Sequence, residues 1–244
     1  MLSLRVLELK RDWEWVGQKP KLLIKETEQL AENIKGIAQA LQLLRPMDVM
    51  KQSFTLTERI EEATPIISKS VPPFSLLLKR VSDDYGKFNL ENLDDFDNNT
   101  QESLLHQLDM IEWYVDKGQT VQALSLAREW LPSLLCYHFQ LDPLDDKARG
   151  EMELLLSGGK KKDGTESIYL KEWDRLLTVK TNQLKNLWGG KYTLANLRND
   201  VLHAGFRKNP KSSEDIIQKT KDILRELKSV SKNWKLDTKL SGNP

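Results

Sequence analysis

The sequence predicts an all-α protein. Apolar residues recur at three- and four-residue intervals through nearly every long segment, convincing strand alternation is absent, and prolines, glycines and one acidic, turn-forming stretch fall between the periodic segments. Residues 2–15 and 20–44 read as two early helices, the second opened by Pro20 and closed before Pro46. Met47 to Ala63 reads as a third. Thr64-Pro65 and Val71-Pro72-Pro73 then break the chain, and Phe74 to Phe88 reads as a fourth. The stretch 89–100, Asn-Leu-Glu-Asn-Leu-Asp-Asp-Phe-Asp-Asn-Asn-Thr, divides a helical N-terminal segment, 1–95, from a second domain, 96–236. A polar tail, 237–244, has the composition of a disordered end.

The second domain is more tightly patterned. Thr100 is placed to cap a helix running to Asp116, Lys117-Gly118 turns the chain, and Thr120 opens a helix to Phe139. Val121, Leu124, Leu131, Leu134 and Leu135 give that helix a buried stripe, with Pro132 as a kink. A shorter helix is expected over 142–156. Ser157-Gly158-Gly159-Lys160-Lys161-Lys162-Asp163-Gly164-Thr165 reads as an exposed flexible loop, and an amphipathic helix follows over 168–187. Gly189-Gly190 leads into a helix starting near Leu194, and a last helix spans Ser213 to Trp234.

Composition narrows the functional classes. The 37 Lys and Arg nearly balance the 36 Asp and Glu, so the chain does not coat nucleic acid through bulk charge, although a local basic cleft stays open. The single cysteine, Cys136, lies in an apolar run, reads as a core residue, and excludes a disulfide within one chain; this fits a reducing cytoplasm. No apolar stretch approaches the roughly 20 residues of a membrane span, and the N-terminus lacks a signal-peptide core. The expectation is a cytoplasmic protein without a membrane partner.

The chemistry-bearing string is Leu194-Ala195-Asn196-Leu197-Arg198-Asn199-Asp200-Val201-Leu202-His203-Ala204-Gly205. A guanidinium holds a phosphodiester by two parallel hydrogen bonds, and an imidazole exchanges protons near neutral pH. Leu194, Leu197, Val201 and Leu202 follow the spacing of a buried stripe, which leaves Arg198, Asn199 and His203 flanking the core. Five helical positions turn through roughly 500°, so Arg198 and His203 stand about 140° apart, whereas Asn199 and His203 share a face. Gly205 is a natural stop that puts His203 in the last turn, at the carbonyl end of the helix dipole. Arg207 and Lys208 follow as candidate substrate-binding cations, and Pro210 prevents continuation.

Arg198-Asn199-Asp200-Val201-Leu202-His203 resembles the motif of the HEPN ribonucleases: an arginine, a polar residue and a histidine a turn or more later. Gly118-Gln119-Thr120-Val121-Gln122-Ala123-Leu124-Ser125-Leu126-Ala127-Arg128-Glu129-Trp130 resembles the helix preceding the catalytic one in CRISPR-associated CARF-HEPN effectors, the accessory ribonucleases of type III systems. The likeness covers residues 100–235, and the first half resembles, less specifically, the helical segment between the two domains of such proteins. It implies a HEPN-type helical bundle and a metal-independent endoribonuclease acting on single-stranded RNA, with Arg198, Asn199 and His203 catalytic, no cofactor, and a homodimer with a composite site. The Rossmann-like CARF sensor of those effectors has no counterpart in the pattern, so it is expected on another segment or chain. A free-standing HEPN toxin of a toxin-antitoxin pair and a non-catalytic helical scaffold are the alternatives.

The remaining candidates have plainer readings. His106, beside Leu104, Leu105 and Leu108, and His138, at the end of an apolar run, read as partly buried structural histidines. No His, Cys or carboxylate cluster has metal-ligand spacing. Ser157-Gly158-Gly159-Lys160 lacks the glycine and lysine spacing of a phosphate loop, and its lysines read as solvated. Arg128 and Glu129 read as a structural ion pair, and the seven tryptophans as core or interface.

Overall fold

The computed structural model describes residues 21–70, 72–91, 96–206 and 208–236. The expected helix over 2–15, Val71, Arg207 and the tail 237–244 lie outside the described residues. Among the described residues the chain is all-α, as the periodicity predicts: ten α-helices, one 3-10 turn and a single isolated bridge between Lys160 and Glu166. None of these helices is long and apolar enough to cross a membrane. The chain divides into two compact units, Met1–Asp95 and Phe96–Pro244.

In the first unit, α1 (Lys21–Gln42) packs along α2 (Pro46–Ser70), which also carries α3 (Pro72–Tyr85) and the 3-10 turn Gly86–Phe88. The apolar stripes of these helices meet in a core that includes Ile37, Met50, Leu56, Ala63 and Phe88, all fully buried. At the α1–α2 crossing, a Cβ on Gly36 would stand 3.1 Å from Gln52 Cδ, so the glycine allows the close approach. One turn earlier, the buried Asn33 amide donates to Gln52 O, Gln52 Oε1 and Thr55 Oγ1 at 2.9, 2.9 and 3.0 Å. These bonds fix the register of the pair, because slipping would strand a buried amide at a cost of about 1–3 kcal/mol.

Two expected boundaries move in this unit. The third helix does not stop at Ala63 but continues through Pro65 to Ser70. Pro65 removes the N–H that would bond Glu61 O, while the Thr64 hydroxyl back-bonds to Ile60 O at 2.6 Å. Burial of Ala63 and Ile67 on one face holds the helix together across that gap. The fourth helix begins earlier than expected, with Pro72 in its first turn, and gives way to a 3-10 turn at Gly86.

The second unit comprises α4 (Phe96–Asp116), α5 (Thr120–His138), α6 (Asp146–Leu156), α7 (Leu170–Arg175), α8 (Thr178–Trp188), α9 (Leu194–Leu202) and α10 (Ser213–Asn233). Helix α5 packs against α4, α6, α8, α9 and α10. Its residues from Ala123 to Ala127 and from Trp130 to Cys136 are all buried. Trp130 is fully enclosed and donates its indole N–H to Leu104 O of α4 at 2.8 Å, which fixes the rotation of α5 against α4. Gln101 accepts from Tyr137 Oη at 2.9 Å and donates to Leu236 O at 2.6 Å, tying α4, α5 and the end of α10 together. Burial pushes the Cys136 thiol up to about 11, the behaviour of an inert core cysteine. All five tryptophans among the described residues are buried.

Several local expectations are corrected here. Thr100 is no cap: α4 begins at Phe96, inside the acidic stretch, and Thr100 is buried within the helix. Val121 is exposed rather than part of the buried stripe. The run of α5 through Pro132 is as expected, and the adjacent Ser133 hydroxyl bonds Glu129 O at 2.9 Å. The helix expected from Asp142 starts at Asp146; Asp142 caps a turn through Leu144 N, and Asp145 is the N-cap, accepting from Lys147 N and Ala148 N. The segment 168–187 is two helices, since Leu176 and Leu177 turn to extended backbone.

The loop 157–165 is exposed at its lysines but organised along its backbone. Ser167 N bonds Gly159 O, and Lys161 N bonds Thr165 O, each at 2.8 Å. Gly159 has a φ of +80°, and a Cβ there would stand 2.5 Å from Leu170 Cδ1. The Arg128–Glu129 pair extends into a network: Arg128 also bonds Glu153 at 2.9 Å, Glu129 bonds Arg149, and the Arg128 guanidinium lies 5.2 Å from the Trp188 ring. It links α5, α6 and α8.

The continuity of α2 across Pro65 is directly testable. Pro65 is exposed, so Pro65→Ala disturbs no core contact and restores the missing helix bond to Glu61 O. Chemical denaturation should show stabilisation of the first unit by about 1–3 kcal/mol. Destabilisation would mean that the chain leaves the helix before residue 65.

Candidate active site

The helix that carries the Arg-Asn…His string is set by a tight reversal after α8. Gly189 N and Gly190 N both return to Lys185 O, at 3.1 and 3.0 Å, and Tyr192 N bonds Asn186 O at 3.0 Å. A Cβ on Gly190 would lie 2.8 Å from Asn186 Cα, so only glycine fits that passage. Thr193 follows with a φ of +53° and is the N-cap of α9, which then packs on α5 and α8.

The inward face of α9 is Leu194, Leu197 and Asp200, all at least nine-tenths buried, rather than the expected stripe of four apolar residues. Val201 is half-buried and Leu202 is 48% exposed. The physical reason is that the helix ends at Leu202, and the returning chain covers Asp200 instead: Lys211 N donates to Asp200 Oδ2 at 3.3 Å. The burial of Asp200 is not legible in the apolar stripe, because a charged residue does not register there. Its spacing of three from Leu197 and six from Leu194 was the available signal.

Arg198 and Asn199 are half-buried neighbours, and Arg198 Nη1 donates to Asn199 Oδ1 at 3.2 Å. Arg198 Nε is shielded from water and has no hydrogen-bond partner among the described residues. Such a buried donor costs about 1–3 kcal/mol until an acceptor reaches it. His203 is exposed and stands one residue past the helix as its C-cap, not within the last turn; its N–H bonds Asn199 O at 2.9 Å. The axis rotation of about 140° therefore separates the imidazole from the Arg198 guanidinium within one chain, while Asn199 lies between them. Lys208 is exposed, and Arg207 lies outside the described residues.

The stop that positions His203 is a Schellman turn. Gly205 N bonds Asp200 O at 3.1 Å and Ala204 N bonds Val201 O at 3.0 Å. The left-handed residue at the pivotal position is Ala204, with a φ of +52°, and Gly205, expected to be the stop, follows it at +72°. Beside this turn, a groove of about 410 Å³ opens where the ends of α5, α9 and α10 meet. Val121, Leu202, Phe206 and Ile217 are exposed apolar residues of the same helix ends, Phe206 at 91%.

The other two histidines are remote from this string in sequence and differ from each other. Both ring nitrogens of His106 are buried without hydrogen-bond partners among the described residues, and its Nε2 is 3.7 Å from Glu102 Oε1. His138 is more exposed than its apolar run predicts. Its ring packs edge-on against Trp234 at 4.8 Å, and desolvation, then the nearby Lys180 charge, holds its pKa below the usual histidine value.

Ala204 offers a clean test of the turn that presents His203. A Cβ in the left-handed region costs roughly 1–2 kcal/mol, partly offset by the added freedom glycine gives the unfolded chain. Ala204→Gly should therefore stabilise the second unit by about 0.5 kcal/mol or more in thermal or denaturant unfolding. A loss of stability would show that the pivot is not left-handed.

Comparison with known proteins adds one finding. Residues 18–99 match the model for CRISPR-associated protein MJ1674, second domain. The match leaves Arg198, Asn199 and His203 outside it. No curated protein and no solved structure matches the chain. Residues 18–99 are thus similar to one domain of a CRISPR-associated protein.

Proposed function

We propose that the chain is a metal-independent endoribonuclease of CRISPR type III defence, with a HEPN-type bundle over 96–236 cleaving single-stranded RNA. The observation that carries this reading is the pairing, at one helix end, of a half-buried Arg198–Asn199 unit with an exposed His203. The all-helical second unit suits a HEPN-type bundle. The match over residues 18–99 favours a CRISPR effector over a free-standing toxin.

In this mechanism His203 takes the proton from a ribose 2′-hydroxyl as its oxygen attacks the adjacent phosphorus. The bond from phosphorus to the 5′-oxygen breaks, and that oxygen takes a proton from a second imidazole. The products are a 2′,3′-cyclic phosphate and a 5′-hydroxyl. Arg198 orients the phosphate and offsets its growing negative charge. With Nη1 engaged by Asn199, the unsatisfied Nε–H supplies a donor that a phosphate oxygen would complete. Asn199 positions the guanidinium.

One imidazole cannot stand at both ends of an in-line displacement, and Arg198 and His203 diverge around their helix. Both problems are solved by a homodimer in which the partner subunit's His203 faces this one across a shared cleft. The exposed Leu202 and Phe206 flanking His203 supply apolar area for such a contact. A CARF sensor on another segment or chain would provide activation.

Replacing His203 with Ala should leave the fold intact and slow cleavage of single-stranded RNA about 100-fold or more, in excess chelator. An unchanged rate in a folded variant would remove the catalytic assignment. Sedimentation should find a dimer under cleavage conditions, and a monomer with full specific activity would rule out the composite site.

A further inference from the structure

The inward face of α9 carries one residue that apolar packing does not call for. Asp200 continues the row of Leu194 and Leu197 and is 4% exposed, at a position where a leucine would extend the stripe. A carboxylate taken out of water is costly unless donors hold it, so its presence there marks contacts that an apolar side chain could not make. Lys211 N is one of the groups that hold it, 3.3 Å from Oδ2.

Asp200 meets the chain that leaves α9 twice. Its backbone oxygen accepts from Gly205 N at 3.1 Å, just past the helix, and its side chain accepts from Lys211 N, where the chain returns. Between these points the two limbs of the loop lie together: a Cβ on Gly205 would stand 3.6 Å from Pro210 Cβ, an ordinary van der Waals contact. Lys211 directly precedes Ser212, the N-cap of α10, whose hydroxyl accepts from Asp215 N at 3.1 Å. The carboxylate therefore ties the start of α10 to the end of α9, and with it the turn that carries His203.

The exposed imidazole of His203 takes its place from its backbone rather than from packing. That backbone belongs to a turn whose pivot, Ala204, sits in the left-handed region. A general base must stand within hydrogen-bond reach of the hydroxyl it deprotonates, and a misplacement of about 1 Å costs on the order of 100-fold in rate. We infer that Asp200 is a positioning residue for His203: its buried carboxylate clips Lys211 N and so fixes the turn that presents the imidazole. This rests on the ribonuclease reading for the reaction it serves, whereas the clip itself is measurable without RNA.

The test uses the full chain. In the unaltered protein the Lys211 amide should exchange with deuterium about tenfold or more slowly than its intrinsic rate, and exchange at the intrinsic rate would overturn the clip without any variant. Asp200→Ala should lose this protection and shift the ring NMR signals of His203, leaving those of His106 and His138 in place. Cleavage of single-stranded RNA should then lose about 10- to 100-fold in kcat with KM within about twofold, because Arg198 and Asn199 still hold the phosphate. Asp200→Asn keeps an oxygen acceptor for Lys211 N and should restore the protection, the His203 signals and most of kcat. Unmoved His203 signals in folded Asp200→Ala, a rise in KM alone, or an Asp200→Asn chain as slow as Asp200→Ala would overturn the positioning role. Protection at Lys211 and a moved His203 in a chain that cleaves no RNA would support the clip while removing the nuclease reading. Cleavage by the unaltered chain with His203 indifferent to Asp200→Ala would overturn the clip alone.

Discussion

The second unit depends on the near-complete burial of α5. A helix enclosed on so many sides must satisfy its polar groups internally and match a different surface on each flank. The Trp130 indole bonded to Leu104 O sets its rotation against α4, and small residues such as Ala123, Ser125 and Ala127 admit close neighbours. Once α5 is fixed, α9 has one way to lie on it, with Leu194, Leu197 and Asp200 inward. That choice points Arg198 and Asn199 to the half-exposed flank. The position of the candidate catalytic residues is thus inherited from the core.

Helix ends do as much as helix packing to shape the site. Six helices stop in the same Schellman geometry, with left-handed pivots at Leu44, Gly118, Gln140, Gly158, Ala204 and Lys235. Only two of those pivots are glycine. The others accept local strain because the bonds closed by the turn, and the burial of the helices themselves, outweigh it. At Ala204 the strained residue lies next to His203, so the conformation that presents the imidazole is held by the Gly205 and Ala204 N–H bonds to Asp200 and Val201.

Charge is arranged locally in a chain of nearly zero net charge. Arg128, Glu129, Arg149 and Glu153 neutralise one another between α5, α6 and α8, so those arginines are committed to structure. Arg198 is bound only through Asn199 among the described residues, and its Nε–H has no acceptor there. A cation oriented by a neutral amide keeps its full charge for an anion, which an Arg–carboxylate pair does not. This distinguishes Arg198 from the structural arginines of the same unit.

The sequence by itself determined the all-helical class, most helix cores, the placement of α5 and α10 to within a residue or two, and the string that holds Arg198, Asn199 and His203. These are legible because they rest on apolar periodicity and on residue chemistry, both local properties. Tertiary structure alone decided where helices stop without glycine, that Pro65 is carried inside a helix, and that 168–187 breaks at Leu176 and Leu177 while its apolar pattern runs on. It also decided that Asp200 faces inward and Leu202 outward. In each case the energy comes from partners distant in the chain: Lys211 for Asp200, and the packed faces on either side of Pro65. Periodicity in one segment carries no information about them.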